Sequence, residues 1–461
     1  MAADKEQSVT GSASPLKDLL RCPFCSGPFD WRGIEDSTGN TESGILYCDC
    51  SWFPVVAGIP VLRRDKISEQ VKSLLEGGRY DDALLTLIQP GIGLPPMWRF
   101  ASFLPLGNYL RRLAREHRSQ HWKNRFAMLL HRIAHGERIP LRKLLDEYYL
   151  EKDHNYYVLR FGQPRYLVAL SFVNILPRSE KPILDLCCGH GHITRSLAQQ
   201  AINQRVIGVD QSFWGLYVAK RWIAPEAYYV CCSADHALPF PDGTFSAVFC
   251  SDAFHYIVNK RSCVRECLRI TQDDMIVLTW VHNKQIRIPH DGVPLSSTGY
   301  HSLFQDVPHR IVADEDVLDG YFRQQGPDLS MQPEVTVLDQ KPLLSIVAST
   351  HKEIFRVHEP FAEPPHAKGR LGINPIYRIE ETGEKQTIQL RRTFPTRFYE
   401  EDHSQYKQYM PENVELDAAI LDDLAEGRLT STVKQLIDQC VVLGMPEQID
   451  CNPNVPVGAD A

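Results

Sequence analysis

Acidic residues and glycines are grouped around one short apolar run, at a spacing that could hold a nucleotide. The run Ile183–Leu186 contains Asp185, and Gly189 and Gly191 follow it in a Gly-x-Gly turn. Glycines at such a turn can adopt positive φ and let backbone N–H groups come close to a ligand. The amphipathic segment His192–Gln200 predicts a helix whose positive end faces the same crevice. Strand, glycine turn and helix in this order predict a nucleotide site at the edge of a parallel α/β sheet.

Further polar residues stand at the ends of the next predicted strands. Asp210 ends the second strand about 20 residues beyond the turn, where an acid can accept both hydroxyls of a ribose. Asp235 follows the third strand, and Ser251 ends the fourth. Gln211 and His236 adjoin these acids, and we expect them to line the same pocket.

The segment that leaves the fourth strand carries the candidates for proton transfer. His255 has a pKa near neutrality by default and could act as a general base. Asp252 and Tyr256 are lesser candidates for the same role. The alternative for His255 is packing against the cofactor or a helix, which needs no catalytic function.

Four cysteines near the N-terminus have the spacing of a metal site. Cys22 and Cys25 form a C-x-x-C pair, and Cys48 and Cys50 form a C-x-C pair. Two thiolates on each of two turns can close a tetrahedral zinc site. A module this short has too little core to fold alone, so a metal would supply folding energy. The alternative is a degenerate module that keeps only its apolar core.

The elements that must position these residues alternate along residues 181–351. The predicted strands are Ile183–Leu186, Val206–Val209, Tyr228–Cys232, Ala247–Ser251, Met275–Trp280, Val335–Leu338 and Leu344–Ala348. Helical patterns separate them, and right-handed crossovers then build a doubly wound α/β sheet of seven strands. Only Asp339–Pro342 separates the last two strands, which predicts a hairpin and hence an antiparallel last strand.

The remaining chain divides into flanking segments. In chain order we predict a disordered tail (1–18), a zinc-ribbon-like module (19–64), a helical linker and cap (65–180), the α/β domain (181–351) and a C-terminal α+β accessory domain (361–461). Within the α/β domain, the long polar stretch 284–311 predicts a lid over the substrate.

The strand order and final hairpin resemble those of class I S-adenosylmethionine-dependent methyltransferases. The run Asp235–Phe249, Asp-His-Ala-Leu-Pro-Phe-Pro-Asp-Gly-Thr-Phe-Ser-Ala-Val-Phe, is most similar to the small-molecule branch of that family. The resemblance covers roughly 170 residues and implies S-adenosylmethionine as the cofactor.

The resemblance also implies roles for single residues. Asp185 would lie near the amino group of the cofactor, directly or through water, and Asp235 would accept the adenine amine. The family usually has a third glycine where Cys187 stands, so this chain departs from the pattern inside the cofactor turn. A nicotinamide cofactor would instead require a glycine where Thr194 stands.

The N-terminal module resembles zinc-ribbon-like domains of the tRNA-methyltransferase-activator type. The similarity lies in the ending Trp52–Leu62, Trp-Phe-Pro-Val-Val-Ala-Gly-Ile-Pro-Val-Leu, and covers about 45 residues. Relative to that family, this chain has two residues fewer between Cys48 and Phe53. The spacing at the fourth metal ligand therefore departs from the family's pattern.

Charge and composition limit the partners and the location. The 461 residues carry 50 basic and 57 acidic side chains, a net charge of −7, which argues against nucleic acid as the main partner. The chain contains no run of 18 apolar residues, so we expect no membrane span. Met1–Ser14 lacks the apolar core of a signal peptide. Thirteen cysteines without such a signal predict reduced thiols in the cytoplasm.

Together these features predict a methyltransferase that transfers a methyl group from S-adenosylmethionine to an O, C or N atom of a small molecule. Two alternatives stay open. One is methylation of RNA or protein, which the ribbon module suggests and a basic face on the folded surface would favour. The other is a non-catalytic scaffold that binds S-adenosylmethionine, which the altered glycine turn would fit.

Overall fold

The computed structural model describes most of the chain, with gaps. The described residues are 16–35, 41–89, 107–134, 137–148, 155–201, 204–272, 274–288, 292–381, 387–404, 406–447 and 449. Most of the predicted N-terminal tail and the end of the chain lie outside them. None of the described helices combines the length and the apolarity that crossing a bilayer would need.

The N-terminal module is a four-stranded antiparallel sheet. Its strands are β1 (Asp30–Ile34), β2 (Ser43–Cys48), β3 (Ser51–Val56) and β4 (Ile59–Pro60). The module begins earlier than the predicted tail allows, because a short 3₁₀ turn at Lys17–Leu19 precedes it. Leu16 and Leu20 are fully buried against Phe53 and its neighbours, so residues 16–18 belong to the ordered module. The predicted boundary at residue 18 is therefore wrong.

Helices follow the module, as the three-to-four spacing of apolar residues predicts. They are α1 (Lys66–Glu76), α2 (Tyr80–Ile88), α3 (Gly107–Ala134), α4 (Leu141–Tyr148), α5 (Asn155–Leu159) and α6 (Pro164–Val173). The longest of them, α3, has 28 residues and lies within the predicted helical linker and cap. Helix α6 is buried along most of its length and packs on the central sheet.

The central sheet has seven strands with helices between them. In chain order the elements are β5 (Ile183–Leu186), α7 (His192–Gln200), β6 (Val206–Asp210), α8 (Phe213–Val218), β7 (Tyr228–Cys231), β8 (Ala247–Ser251), α9 (Lys260–Thr271), β9 (Met275–His282), α10 (Ser297–His301), β10 (His309–Ala313), α11 (Asp314–Phe322), α12 (Val335–Leu338) and β11 (Leu343–Ser349). The spatial order is β10-β11-β9-β8-β5-β6-β7, and β11 is antiparallel to both of its neighbours. The prediction of a doubly wound α/β sheet with an antiparallel last strand is confirmed.

The sheet is buried on both faces because its strands alternate apolar residues between two core layers. In β5, Ile183 faces one layer, and Leu184 and Leu186 face the other. Helices α6, α7 and α8 cover the first layer, and α9 covers the second. This two-sided burial holds the carboxyl ends of the strands in fixed positions.

The sixth strand is the one that the sequence prediction assigns wrongly. Val335–Leu338 is the short helix α12, with Val335 and Val337 exposed to solvent, so no hairpin joins it to β11. The sixth strand is β10, which pairs with β11 from His309↔Ala348 to Ala313↔Leu344. The predicted lid 284–311 therefore contains α10 and ends inside a strand of the sheet.

The N-terminal module docks on the edge strand of this sheet. Val61 forms a parallel bridge with Cys231 at the end of β7, and the Leu62 N–H donates to the Cys231 carbonyl at 2.8 Å. A second link comes from Lys220, whose Nζ donates to the Ala57 carbonyl at 2.8 Å. The edge of the sheet is thus covered by a segment of the same chain.

The C-terminal region is α+β and packs against the helical cap. Its elements are β12 (Arg370–Ile373), β13 (Tyr377–Glu381), β14 (Thr387–Arg392), α13 (Arg397–Asp402), β15 (Asn413–Asp417), α14 (Ile420–Ala425), α15 (Ser431–Asp438) and β16 (Val442–Met445). β12 pairs with β16, and β13, β14 and β15 form a second sheet. The Tyr406 hydroxyl donates to the Gly162 carbonyl at 2.9 Å, which ties this region to the segment before α6.

Candidate functional site

The glycine turn joins β5 to α7 through three residues with positive φ. Cys187, Gly189 and Gly191 have φ of 59°, 53° and 79°. A Cβ on Gly191 would lie 2.7 Å from the Ala219 Cβ, so side chains are excluded there by contact. Gly189 faces open space, and its glycine serves the backbone conformation. Cys187 adopts the same left-handed region with a side chain, which is strained for a residue other than glycine.

Asp210 connects this turn to the end of β6. Its Oδ2 accepts a hydrogen bond from the Gly189 N–H at 2.9 Å, and its Oδ1 accepts one from the Ser212 N–H at 2.8 Å. Burial raises the pKa of its carboxyl group. The carboxylate has further lone pairs for ribose hydroxyls, and its position beside the turn suits that role.

Asp235 holds the loop after β7 against the start of α9. Its Oδ1 accepts hydrogen bonds from the Val258 and Asn259 N–H groups, both at 2.9 Å. The second oxygen, Oδ2, makes neither of these bonds. Asp235 lines the same cavity as Asp210, so the two acids stand on separate walls of one pocket.

The cavity lies at the carboxyl ends of β5, β6, β7 and β8 and has a volume of about 290 Å³. It is lined by Cys187, Val209, Asp210, Gln211, Cys232, Ser233, Ala234, Asp235, Asp252, Ala253, Tyr256 and Ile257. The sheet order changes direction between β5 and β8. A crevice outside this switch point is where open α/β sheets bind their ligands.

Five predicted cofactor residues do not line this cavity: Asp185, Gly189, Gly191, His236 and Ser251. Asp185 is 1% exposed, and its Oδ2 accepts a hydrogen bond from the Thr194 hydroxyl at 2.6 Å. Burial raises the pKa of Asp185 to about 7, against the lowering effect of that hydrogen bond. Of the others, His236 is exposed, Ser251 is half-buried and Gly191 is the N-cap residue of α7. Of the five, Asp185 fixes the turn from behind.

The predicted general base is buried rather than presented to the cavity. His255 is 0% exposed, and its ring lies parallel to that of His282 with centroids 3.7 Å apart. Tyr256, by contrast, lines the cavity and is 54% exposed. Among the three proton-transfer candidates, Tyr256 and Asp252 are therefore the two with access to a bound ligand.

Asp252 belongs to a buried ionic network that the sequence analysis missed. Its Oδ2 accepts hydrogen bonds from Arg160 at 2.8 Å and Arg165 at 2.9 Å. Arg165 also donates to Asp402 of α13 at 2.6 Å. Burial by itself would raise the pKa of Asp252, but the two arginines bring it down to about 2. A carboxylate held this way is a weak base, and no local sequence pattern links residues so far apart.

Asp252, His255 and His282 also lie close enough to share a cation, with one ligand atom of each within 4.8 Å of the others. The carboxylate of this trio already binds two guanidinium groups. Two positive charges beside the trio oppose a metal ion there, so we interpret it as packing.

The four N-terminal cysteines do converge. The sulfur atoms of Cys22 and Cys50 are 3.6 Å apart, those of Cys48 and Cys50 are 3.6 Å apart, and those of Cys25 and Cys48 are 3.9 Å apart. Four sulfurs at about 2.3 Å from a tetrahedral zinc would be about 3.8 Å from one another. Arg64 donates to the Cys50 sulfur at 3.0 Å, which suits a thiolate. The donor set therefore fits zinc, and the C-x-C spacing does not prevent it.

A larger cavity of about 630 Å³ lies between the module and helices α2, α3 and α8. Glu42, Tyr80 and Arg221 are among its lining residues. None of the strand-end acids contributes to it, so it is separate from the candidate cofactor cavity.

Comparison with known proteins finds a family match in the central part of the chain. Residues 183–274 match the family model described as a methyltransferase domain. This region runs from β5 to the residue before β9 and includes the glycine turn, Asp210 and Asp235. The model covers the first four strands of the sheet and the whole cavity lining.

Two curated relatives match the same region. A demethylmenaquinone methyltransferase of Thermotoga maritima is 30% identical over 96 residues, 21% of this chain and 41% of that protein. A malonyl-[acyl-carrier protein] O-methyltransferase of Legionella pneumophila is 31% identical over 102 residues, 22% of this chain and 35% of that protein. The chain thus spans less than half the length of either relative.

Among solved structures, the complex between the Haloferax volcanii Trm112 methyltransferase activator and a methyltransferase matches with a TM-score of 0.33 and 16% identity. The match covers 46% of this chain and 100% of the other chain.

Proposed function

We infer that this chain is a methyltransferase that uses S-adenosylmethionine. The observation that carries this proposal is the cavity at the sheet's switch point, where Asp210 and Asp235 face one space beside the glycine turn. The methyltransferase-domain match over the same residues supports it. The cavity is not filled by side chains, which supports cofactor binding. Cofactor binding is common to the enzyme and to the non-catalytic scaffold, so turnover of an acceptor distinguishes the two.

The residues of the cavity divide the work of holding the cofactor. Asp210 would accept the ribose hydroxyls, and Oδ2 of Asp235 would accept the adenine amine. Gly189 and Cys187 bring the backbone close to the ligand. When bound, S-adenosylmethionine supplies an electrophilic methyl group, and the protein must orient the acceptor in line with it. Tyr256 and Asp252 border the space in which the acceptor would be oriented.

Isothermal titration calorimetry with S-adenosylmethionine and its demethylated product tests the proposal. We expect micromolar binding by the wild-type chain and at least a tenfold loss in an Asp210→Ala variant, because the ribose would lose its charged hydrogen-bond acceptor. Asp242→Ala is the matched control, since Asp242 is an exposed acid outside the cavity. Absence of binding by folded wild-type protein would overturn the proposal.

The acceptor class is part of the same proposal, and two classes have support. The name of one curated relative, a demethylmenaquinone methyltransferase, supports a small acceptor, whereas the name of the other gives a malonyl group carried on a protein. RNA is supported by one feature of this chain, the positive charge concentrated on α3.

His255 as a general base stays a prediction, and a His255→Ala variant with full turnover would remove it. The expected cytoplasmic location also stays a prediction.

A further inference from the structure

Helix α3 carries a charge opposite to that of the whole chain. Its 28 residues include seven Lys or Arg and one Glu, whereas the chain has a net charge of −7. Its first turn contains no acidic residue, although acids there would stabilise the helix through the macrodipole. Helix stability therefore does not account for this charge.

The contacts of α3 show which way the helix points. The Phe126 ring lies 5.8 Å from that of Trp214, at the start of α8. Further along both helices, Ile133 lines the same cavity as Tyr217. The two helices thus run in parallel, and α8 begins just after Asp210 at the carboxyl edge of the sheet. The N-terminal half of α3 consequently extends toward the side on which the cofactor cavity opens.

This half of the helix is solvent-exposed and basic. None of the described side chains from 109 to 121 is buried, and the first buried one is Trp122. At 1.5 Å per residue these 13 residues form an arm about 20 Å long. We call residues 109–121 the basic arm. Its arginines recur once per turn, at Arg112, Arg115 and Arg118.

The arginines of the basic arm are only partly neutralised. Arg112 pairs with Glu116 at 2.8 Å, while Arg115 and Arg118 form no ion pair with the described acids. Tyr109 is 58% exposed and Leu113 is 42% exposed, and the two lie four residues apart on the side of the helix that carries Arg112. Arg115 and Arg118 lie about 120–180° around the helix from them, so the arm presents cations and an aromatic ring on different sides. Arginines for phosphates and an exposed aromatic ring for a base are the combination that binds single-stranded nucleic acid.

We propose that the basic arm binds RNA and presents it to the cofactor cavity, a step that rests on the proposed methyltransferase function. RNA fits better than duplex DNA, because loops and single strands offer unstacked bases, whereas a duplex would have to expel its base. Outside α3 the chain carries a net charge of −13, the −7 of the whole chain less the +6 of the helix, which disfavours phosphates away from the helix.

The test measures binding of a fluorescein-labelled single-stranded RNA 20-mer of mixed sequence to the full chain by fluorescence anisotropy, from 50 to 200 mM salt. An Arg115→Ala, Arg118→Ala double variant should lose at least tenfold in affinity at 100 mM salt. Its slope of log K against log salt should become shallower by about 1.4, from two lost phosphate contacts at about 0.7 each. Alanine is a strong helix former, so α3 should stay folded.

An Arg323→Ala, Arg391→Ala double variant is the matched control, because both side chains are exposed and lie outside the arm, Arg323 directly after α11 and Arg391 on β14. It should bind RNA within twofold of wild type. Equal losses in both double variants, an unchanged salt slope, or tighter binding of a 20-bp duplex DNA would each overturn the inference. Titration of the same samples with S-adenosylmethionine separates the two claims: cofactor binding without RNA binding overturns only the RNA inference.

Discussion

At the scale of single residues, Cys187 shows how the cofactor turn tolerates a departure from glycine. Its backbone has a left-handed φ of 59°, which glycine adopts without strain, and its side chain borders the cavity. A residue with a Cβ is strained by about 1 kcal/mol or more in this region. The turn is therefore preserved at a cost in stability rather than rebuilt.

This strain leads to a prediction at the same scale. Cys187→Gly should raise the free energy of unfolding relative to Cys187→Ala by about 1 kcal/mol, because both lack the thiol and only glycine relieves the left-handed strain. Urea unfolding monitored by circular dichroism measures the difference. Equal stability of the two variants, or a more stable alanine variant, would show that the backbone at this position is not strained.

The sequence predicted the residues that line the cavity better than it predicted the general base beside the cavity. Asp210, Gln211 and Asp235 line the cavity because each stands at a strand end, which spacing alone reveals. Burial was not predictable in the same way. A histidine taken by itself could act as a base. His255, however, is buried against the ring of His282, which lies 27 residues further along the chain, and no local pattern shows that contact.

At the scale of elements, the buried ionic network joins three parts of the molecule. Arg160 and Arg165 belong to the cap, Asp252 to the loop after β8, and Asp402 to α13. All four side chains are about 90% buried, and their charges balance. The C-terminal region thereby contacts the cofactor cavity through one arginine and one carboxylate.

Breaking this network should weaken both folding and cofactor binding. We expect Asp402→Asn to lower the free energy of unfolding by about 3 kcal/mol, because it leaves a buried arginine with one partner fewer. Cofactor affinity should fall as well, since Arg165 also orients Asp252 in the cavity wall. Thermal unfolding and calorimetry measure the two effects.

Glu401→Gln provides the control, because Glu401 neighbours Asp402 but forms an exposed pair with Arg397. Exposed pairs contribute about 0.5 kcal/mol or less, so this variant should match wild type in both assays. If Asp402→Asn did the same, the network would have no energetic role.

Secondary structure was predictable where the apolar pattern was long and failed where it was short. The first five strands of the sheet were found to within two residues at either end. The sixth was misassigned because Val335–Leu338 is a four-residue apolar run, which periodicity cannot distinguish between helix and strand. β10 was missed because it follows a long polar stretch and becomes a strand through pairing with β11. The paired residues are about 35 apart in the chain.

At the scale of the whole molecule, the N-terminal module is both a metal-binding candidate and the cover of a sheet edge. Its bridge from Val61 to Cys231 continues the pairing beyond β7. Zinc at the four cysteines would therefore stabilise more than the module itself, because loss of the module would expose the edge strand.

Removal of zinc tests this coupling. The purified chain should contain one zinc per molecule, and a Cys50→Ser variant should lose it, with a lower melting temperature and aggregation from the exposed β7 edge. Elemental analysis and light scattering during a thermal ramp are the measurements. Cys440→Ser is the control, since Cys440 lies outside the cysteine cluster and its loss should leave the zinc content unchanged. A metal-free wild type with full stability would contradict the prediction.

The order in which the chain is synthesised gives the ionic network one more consequence. Arg165 precedes Asp252 by 87 residues and Asp402 by 237. At about 5–20 residues per second, a ribosome needs roughly 12–47 seconds to add those 237 residues. For the last 150 of those residues, from Asp252 to Asp402, Arg165 has its first carboxylate partner but not yet its second. The cavity wall is therefore completed late in translation, and a prematurely terminated chain would leave the ribosome with an unfinished site.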